Sequence, residues 1–259
     1  MAARQTFVFG FVTLVCLFGT WQKPVLGQEK ETDPVLTTRE AVTCGFETDI
    51  NTKYIWRGIT VNDGLVIQPY VWASYRNFTL AAWGNITAYD RFATARRHEI
   101  DLIAGYNYSI GKLQVGHTIM FYLYPNVEKS PATGEFYLDL AYPLGDFSLV
   151  SQAAADFMTY FGSVYFQHGI KYGKALGEKL TLGASAVFSW ATRKFNSSYI
   201  GVDMTAANLA GLNLDLTYNP DGLFYFKPHL QFNRTLTREL SEKIGKYPWF
   251  IGLVIGISK

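Results

Sequence analysis

The chain has 259 residues, 49% hydrophobic and 16% aromatic but only 17% charged, and carries a net charge of +2. That length suits one large domain or two small ones, and the charged fraction lies below the roughly 25% usual in soluble domains. A near-neutral balance with no basic stripe excludes a protein that binds nucleic acid by neutralising phosphates.

In chain order, residues 1–27 read as a signal peptide. Arg4 supplies the positive start, Phe7–Gly19 an apolar core too short to span a bilayer, and Val25–Gly27 a small-residue cleavage context. Cys16 lies inside this leader, which leaves Cys44 alone in the mature chain and without an internal disulfide partner. Residues 28–42 are polar and form a lead-in on the periplasmic side. Beyond the leader no apolar run of about 20 residues offers a transmembrane helix.

From Cys44 onward the pattern alternates with period two, the mark of strands. In Gly134–Tyr142, Phe136, Leu138, Leu140 and Tyr142 share one face, and Glu135, Tyr137, Asp139 and Ala141 share the other. Twelve segments behave this way: 43–57, 64–76, 78–89, 98–109, 112–124, 134–143, 146–157, 163–173, 179–192, 208–219, 223–233 and 247–258. A weak helical period in Thr237–Gly245 falls in a loop. Short turns follow the even-numbered segments, such as Ser109–Lys112, Pro143–Asp146 and Asn219–Gly222, and longer loops follow most odd-numbered ones.

Short turns on one side and long loops on the other predict an all-β fold, a transmembrane antiparallel up-and-down β-barrel of about 12 strands over residues 43–259. An even strand count places both termini on the short-turn, periplasmic side. Closure removes sheet edges and satisfies every backbone group in lipid. Aromatics fall where interfacial girdles belong: Tyr75, Tyr108, Tyr142, Tyr172 and Tyr218 near the short turns, and Tyr54, Trp56, Tyr122, Tyr124 and Trp190 near the long loops. A soluble β-sandwich would need fewer apolar faces.

With the apolar faces on lipid, the opposite faces line a lumen of Glu47, Asp49, Asn51, Lys53, Gln68, Arg76, Glu99, Asp101, Glu135, Asp139, Asp156, Gln167, Lys171, Asp215, Lys227, His229 and Gln231. These charges would pair across the bore and partly close it, or line a narrow hydrated pore; the sequence leaves both open. Glu47/Asp49 and Glu99/Asp101 would bind a cation, serve acid/base chemistry, or simply make the lumen polar. The candidate pore-lining or pore-mouth residues are Arg57, Gln68, Glu99, Asp101, Lys227 and His229. In this register Tyr54 and Trp56 face lipid, while Arg57 points into the bore mouth, where it pairs with Glu99 or Asp101 or meets incoming anions. His117 and His168 fall on the lipid side, which would signal a slip of register there.

His98, His117, His168 and His229 show no metal-ligand spacing, no nucleophile motif frames a serine, and no phosphate loop occurs. No catalytic residue, metal or cofactor is assigned, and the chain reads as no enzyme. Arg91, Arg96, Arg97, Arg193, Lys194, Arg234, Arg238, Lys243 and Lys246 make the long loops basic, fit for anionic lipopolysaccharide headgroups or for ordinary solvation. The Asn-x-Ser/Thr sequons read as chance.

The block Thr48–Asn85 resembles the TorF-type porin family, conserved hypothetical exported outer-membrane barrel proteins. The likeness rests on Tyr54, Trp56, Arg57, Gly58 and Ile59 at a strand end, then Gly64, Gln68, Trp83 and Gly84. The resemblance covers the first three strands and implies an outer-membrane barrel with passive transport. The expected function is therefore porin-like diffusion of small solutes through a polar, mixed-charge lumen, with membrane lipid and lipopolysaccharide as surroundings. The alternatives are a lipid- or lipopolysaccharide-modifying barrel enzyme and a sealed structural or adhesin barrel.

Overall fold

The structure is a computed structural model that describes residues 42–91, 98–126 and 130–259. The signal peptide 1–27 and nearly all of the lead-in 28–42 lie outside the described residues, as do Arg96 and Arg97. Twelve strands among the described residues close into one antiparallel barrel. They are β1 (Thr43–Asn51), β4 (Val66–Tyr75), β5 (Phe78–Thr87), β6 (Glu99–Ile110), β7 (Leu113–Leu123), β8 (Thr133–Leu144), β9 (Phe147–Asp156), β10 (Val164–Ala175), β11 (Leu180–Ala191), β12 (Ala206–Tyr218), β13 (Phe224–Thr235) and β14 (Trp249–Ser258). Two further strands, β2 (Tyr54–Trp56) and β3 (Ile59–Asn62), form a separate hairpin. The barrel shuts where β1 pairs with β14, and the Cys44 amide and carbonyl each bond Lys259 at 3.0 Å, so both ends of the barrel meet at the short-turn rim.

Alternation decides the two faces. Along β14, Trp249, Ile251, Leu253, Ile255 and Ile257 are exposed while Phe250, Gly252, Val254 and Gly256 are buried. The same holds around the ring, where Phe46, Val71, Leu80, Leu102, Ile119, Phe136, Leu149, Ile170, Phe188, Leu212 and Leu230 form an outward apolar surface. An apolar belt this continuous fits hydrocarbon, not water.

The short-turn girdle is present: Tyr75, Tyr142 and Tyr218 are exposed on the outer face, with Tyr108 and Tyr172 beside them. His117 and His168 are on the outer face after all, with no slip of register. The His117 ring stacks between Tyr108 and Phe136, and His168 Nδ1 lies 2.9 Å from Ser151 Oγ. Pro69 sits within β4, opposite Thr48 of β1, and the ladder to β5 skips from Ile67 to Tyr70. A residue without an N–H is tolerated where the ladder is interrupted.

Four expectations need correction. The first segment, 43–57, is not one strand: β1 stops at Asn51 and the chain turns inward. Tyr54 and Trp56 are therefore buried inside the barrel, not on a lipid girdle, and Tyr122 is buried too; of the long-loop aromatics, Trp190 is the one stacked on a wall neighbour facing out, with Phe166 at 4.0 Å. Arg76 lies exposed in the β4–β5 turn, outside the lumen. The segment placed in a loop at 237–245 holds a helix, α2 (Arg238–Ile244), whose Leu240 is fully buried.

Candidate functional site

The hairpin β2–β3 turns at Arg57 and Gly58, whose φ values of 49° and 85° are both positive. Two consecutive positive φ values give the tight turn that matches strand twist, and Gly58 suits the second position because it has no Cβ. A Cβ on Gly58 would also press on Leu209 Cδ2 at 3.2 Å. Arg57 is strained by its left-handed backbone, and its surroundings hold it there.

Those surroundings lie across the bore. β8 is five strands round the ring from β1, nearly opposite in a barrel of twelve. Arg57 reaches its Glu135 and donates from Nη1 to Oε1 at 2.8 Å and from Nη2 to Oε2 at 2.7 Å, with side chains 1% and 0% exposed. A planar guanidinium fits a carboxylate in this two-pronged way. Nη2 also donates to the Tyr137 hydroxyl, and Tyr122 and Tyr137 both donate to Glu135. The guanidinium carbon sits 4.5 Å from the Trp56 ring centre and 4.7 Å from that of Tyr165, close enough for cation–π attraction. The predicted partners Glu99 and Asp101 do not hold Arg57. Glu99 instead accepts from the Tyr54 hydroxyl at 2.9 Å at the base of the hairpin.

A second inward segment backs the hairpin. The loop after β11 forms a short helix α1 (Arg193–Phe195) and a π turn (Asn196–Ile200). Phe195 is fully buried and 5.9 Å from Trp56, and Tyr199 packs at 5.0 Å on Trp56 while donating to Asp156 at 3.1 Å. Burial raises the Tyr199 phenol well above its usual range, so it stays a donor. Asp156 takes further bonds from Thr133 and the Met158 and Tyr160 amides. Together the two segments occupy the long-loop half of the bore.

Below them the wall keeps its polar face. Gln68 links Asn51 and Asn85, accepting at 2.9 Å and donating at 3.0 Å. His229 Nε2 meets Asp49 at 2.9 Å, and Gln152 donates to Asp139 at 2.7 Å. Tyr225 donates to Glu47. Gly252 makes this layer possible, because a Cβ there would collide with Asn51 Oδ1 and the His229 ring. Lys227 is buried and inward on β13. Side-chain atoms of Asp101, Gln114, Gln152, Asp215, Thr217 and Asn233 are buried and have no hydrogen-bond partner in the protein. Inward polar residues Glu47, Gln152, Lys171, Asn213, Asp215, His229 and Gln231 are only half-buried, which fits a lumen that water or solute enters.

All six sequence-predicted site residues thus face the interior. Gln68, Lys227 and His229 stand on the wall, Glu99 and Asp101 stand beside the hairpin, and Arg57 is the hairpin's tip. Sequence reasoning placed Glu135 and Asp156 in the lumen but did not single them out. It missed Phe195 and Tyr199 entirely; their i, i+4 spacing inside a long polar loop was the available signal.

Fold and interior together define a membrane-spanning β-barrel with an inward-folded hairpin across a polar bore. No family model matches the chain, and no curated protein matches it. Solved structures do. The chain is similar to the KdgM porin at 11% identity and a TM-score of 0.54, covering 83% of this chain and 99% of that one. It is similar to the NanC porin at 6% identity and a TM-score of 0.55, covering 83% and 98%. It also resembles the COG4313 outer membrane channel from Pseudomonas putida F1 at 12% identity and a TM-score of 0.52, covering 88% and 100%. At these identities the likeness establishes the fold.

Proposed function

We propose that this protein is an outer-membrane, porin-like channel that passes small solutes by diffusion, with β2–β3 as its constriction. The observation that carries the reading is the inward face: acids, bases and amides line it, and several, among them Glu47, Lys171, Asn213 and Gln231, are only half-buried inside the barrel. A barrel serving only as an anchor has no need of such a face. Export by the 1–27 leader, an outer-membrane location and a TorF-type kinship belong to the same proposal. The named barrels of like fold, two porins and an outer membrane channel, support it.

Arg57 and its seat favour a second reading, a sealed barrel whose loops act outside, because the hairpin crosses the bore and its first strand, Tyr54–Trp56, is buried throughout with Arg57 at its end. An enzyme reading has less support. The serine–histidine contact, Ser151 to His168, lies on the outer face, away from the bore carboxylates. Planar-bilayer recording of the purified full-length barrel decides between channel and seal. Stepwise conductance supports the channel; its absence from a folded, inserted barrel overturns it.

A further inference from the structure

At the long-loop rim we infer a binding site for a phosphate-bearing lipid headgroup, built on the outer face of the β13–β14 seam from Arg234, Lys246 and Tyr247. The inference rests on the outer-membrane location proposed above, where the long-loop leaflet carries lipopolysaccharide, and not on whether the bore is open.

The pairing of the two strands continues past the start of β14. The Asn233 amide donates to the Pro248 carbonyl and the Thr235 amide to the Lys246 carbonyl, both at 2.9 Å. Arg234 therefore stands opposite Tyr247, and both are exposed on the outer face. One step toward the membrane, Phe232 stands opposite Trp249. The Tyr247 ring stacks on Phe232 with centroids 6.0 Å apart, and Lys246 Nζ lies 5.3 Å from the Tyr247 ring centre. Thr235 Oγ1 donates to the Gly245 carbonyl at 2.6 Å, and buried Leu240 seats α2, so the loop that carries Lys246 is tied to the rim.

These two cations are uncommitted. Elsewhere in the long loops Arg91 lies 4.0 Å from Asp63, Arg193 3.7 Å from Asp203 and Arg238 2.9 Å from Glu242. Among the described residues no carboxylate pairs with Arg234 or Lys246. Residues 234–246 hold Arg234, Arg238, Lys243 and Lys246 against Glu239 and Glu242, so four positive charges meet two negative ones and the surroundings do not neutralise the pair.

The order of side chains with depth matches a lipid. Rising along β13, the outward residues are Leu230, Phe232 and Arg234; rising along β14 and just past its end they are Ile251, Trp249 and Tyr247. Aliphatic residues suit acyl chains, aromatic rings suit the interface, and cations suit the headgroup phosphate. A guanidinium takes a phosphate through two parallel N–H donors, the Lys246 ammonium adds a point charge, and the Tyr247 hydroxyl adds a further donor. A neutral headgroup would leave both cations unmatched.

The test is native mass spectrometry of the full-length barrel in detergent, titrated with diphosphorylated lipid A, dephosphorylated lipid A or inorganic phosphate. Wild type should retain diphosphorylated lipid A and neither of the others. Arg234→Gln and Lys246→Gln should each weaken that binding about fivefold, and the double variant about thirtyfold, with heat-modifiable gel mobility reporting a folded barrel. Arg238→Gln removes the same charge from the same loop and should leave binding unchanged, because Glu242 already holds Arg238. A wild type that binds no lipid A, equal binding of the dephosphorylated form, displacement by inorganic phosphate, or equal losses in Arg238→Gln and Arg234→Gln overturns the inference, as does a folded double variant that binds like wild type. None of these outcomes bears on conductance, so the channel reading stands or falls separately, and a barrel recovered outside the outer-membrane fraction overturns the location instead.

Discussion

Glu135→Ala is the perturbation that most directly probes the hairpin. It leaves the Arg57 guanidinium, 1% exposed, without its carboxylate. Breaking a buried ion pair by removing one partner costs about 3–5 kcal/mol. Arg57 already holds a left-handed backbone, which costs about 1–2 kcal/mol more. Against this stands the apolar seat. Tyr54, Ile55 and Trp56 are 3%, 1% and 9% exposed, and burial of such side chains contributes about 1.5–3 kcal/mol each. The seat therefore supplies about 5–9 kcal/mol, and loss of the pair consumes most of it. The hairpin should then leave the bore in a measurable fraction of molecules while the wall, with its own closed ladders, stays folded. Trypsin reads this out: wild-type protein should resist cleavage after Arg57, the variant should be cut there, and single-channel conductance should rise. Glu135→Gln, which keeps an acceptor but not the charge, should fall between. A folded Glu135→Ala barrel as resistant as wild type at Arg57, with unchanged conductance, would refute the claim that this ion pair holds the hairpin.

Three further outcomes follow from other contacts. Gly252→Ala places a methyl where Asn51 Oδ1 and the His229 ring now sit, so the variant should lose about 1–3 kcal/mol and release His229 from Asp49, seen as a shifted His229 imidazole resonance. Leu240→Ala in α2 empties a fully buried site and should cost about 2–5 kcal/mol locally, read as faster amide exchange in 238–244 with the wall unaffected. In the β12–β13 turn, the Phe224 and Leu223 amides donate to Asp221 Oδ1 at 2.8 and 2.9 Å and hold that carboxyl below its usual value. Because the folded value is depressed, this support is complete above the ordinary carboxylate pKa of about 3.9 and fades as pH falls below it. Amide exchange of Leu223 and Phe224 should therefore quicken at low pH in the wild type, beyond its ordinary pH trend, and not in Asp221→Ala.

The wall was legible and the interior was not, for one physical reason. A wall strand touches lipid on one side and the bore on the other, so its sequence must alternate, and Gly134–Tyr142 or Trp249–Ile257 can be read face by face without coordinates. Register, turns and the inward positions of Gln68, Glu99, Asp101, Lys227 and His229 all follow from that single constraint. A segment folded into the bore has no lipid side. Tyr54, Ile55 and Trp56 are buried consecutively, so nothing obliges them to alternate, and a period-two reading extends the wall through them by default. The break is visible only as three apolar residues in a row ahead of Arg57-Gly58. The ion-pair partner is harder still, because a charge on a barrel wall is compatible with every other charge on that face until the hairpin's reach is known. Glu99 and Asp101 lie three strands round the ring from β1 and Glu135 five, and only the length of β2 decides that the arginine arrives at the far wall. Arg57 is thus a pore-mouth charge in sequence and a cross-bore latch in structure. That difference makes the constriction a separate element from the barrel, one that mutation can loosen while the wall remains closed.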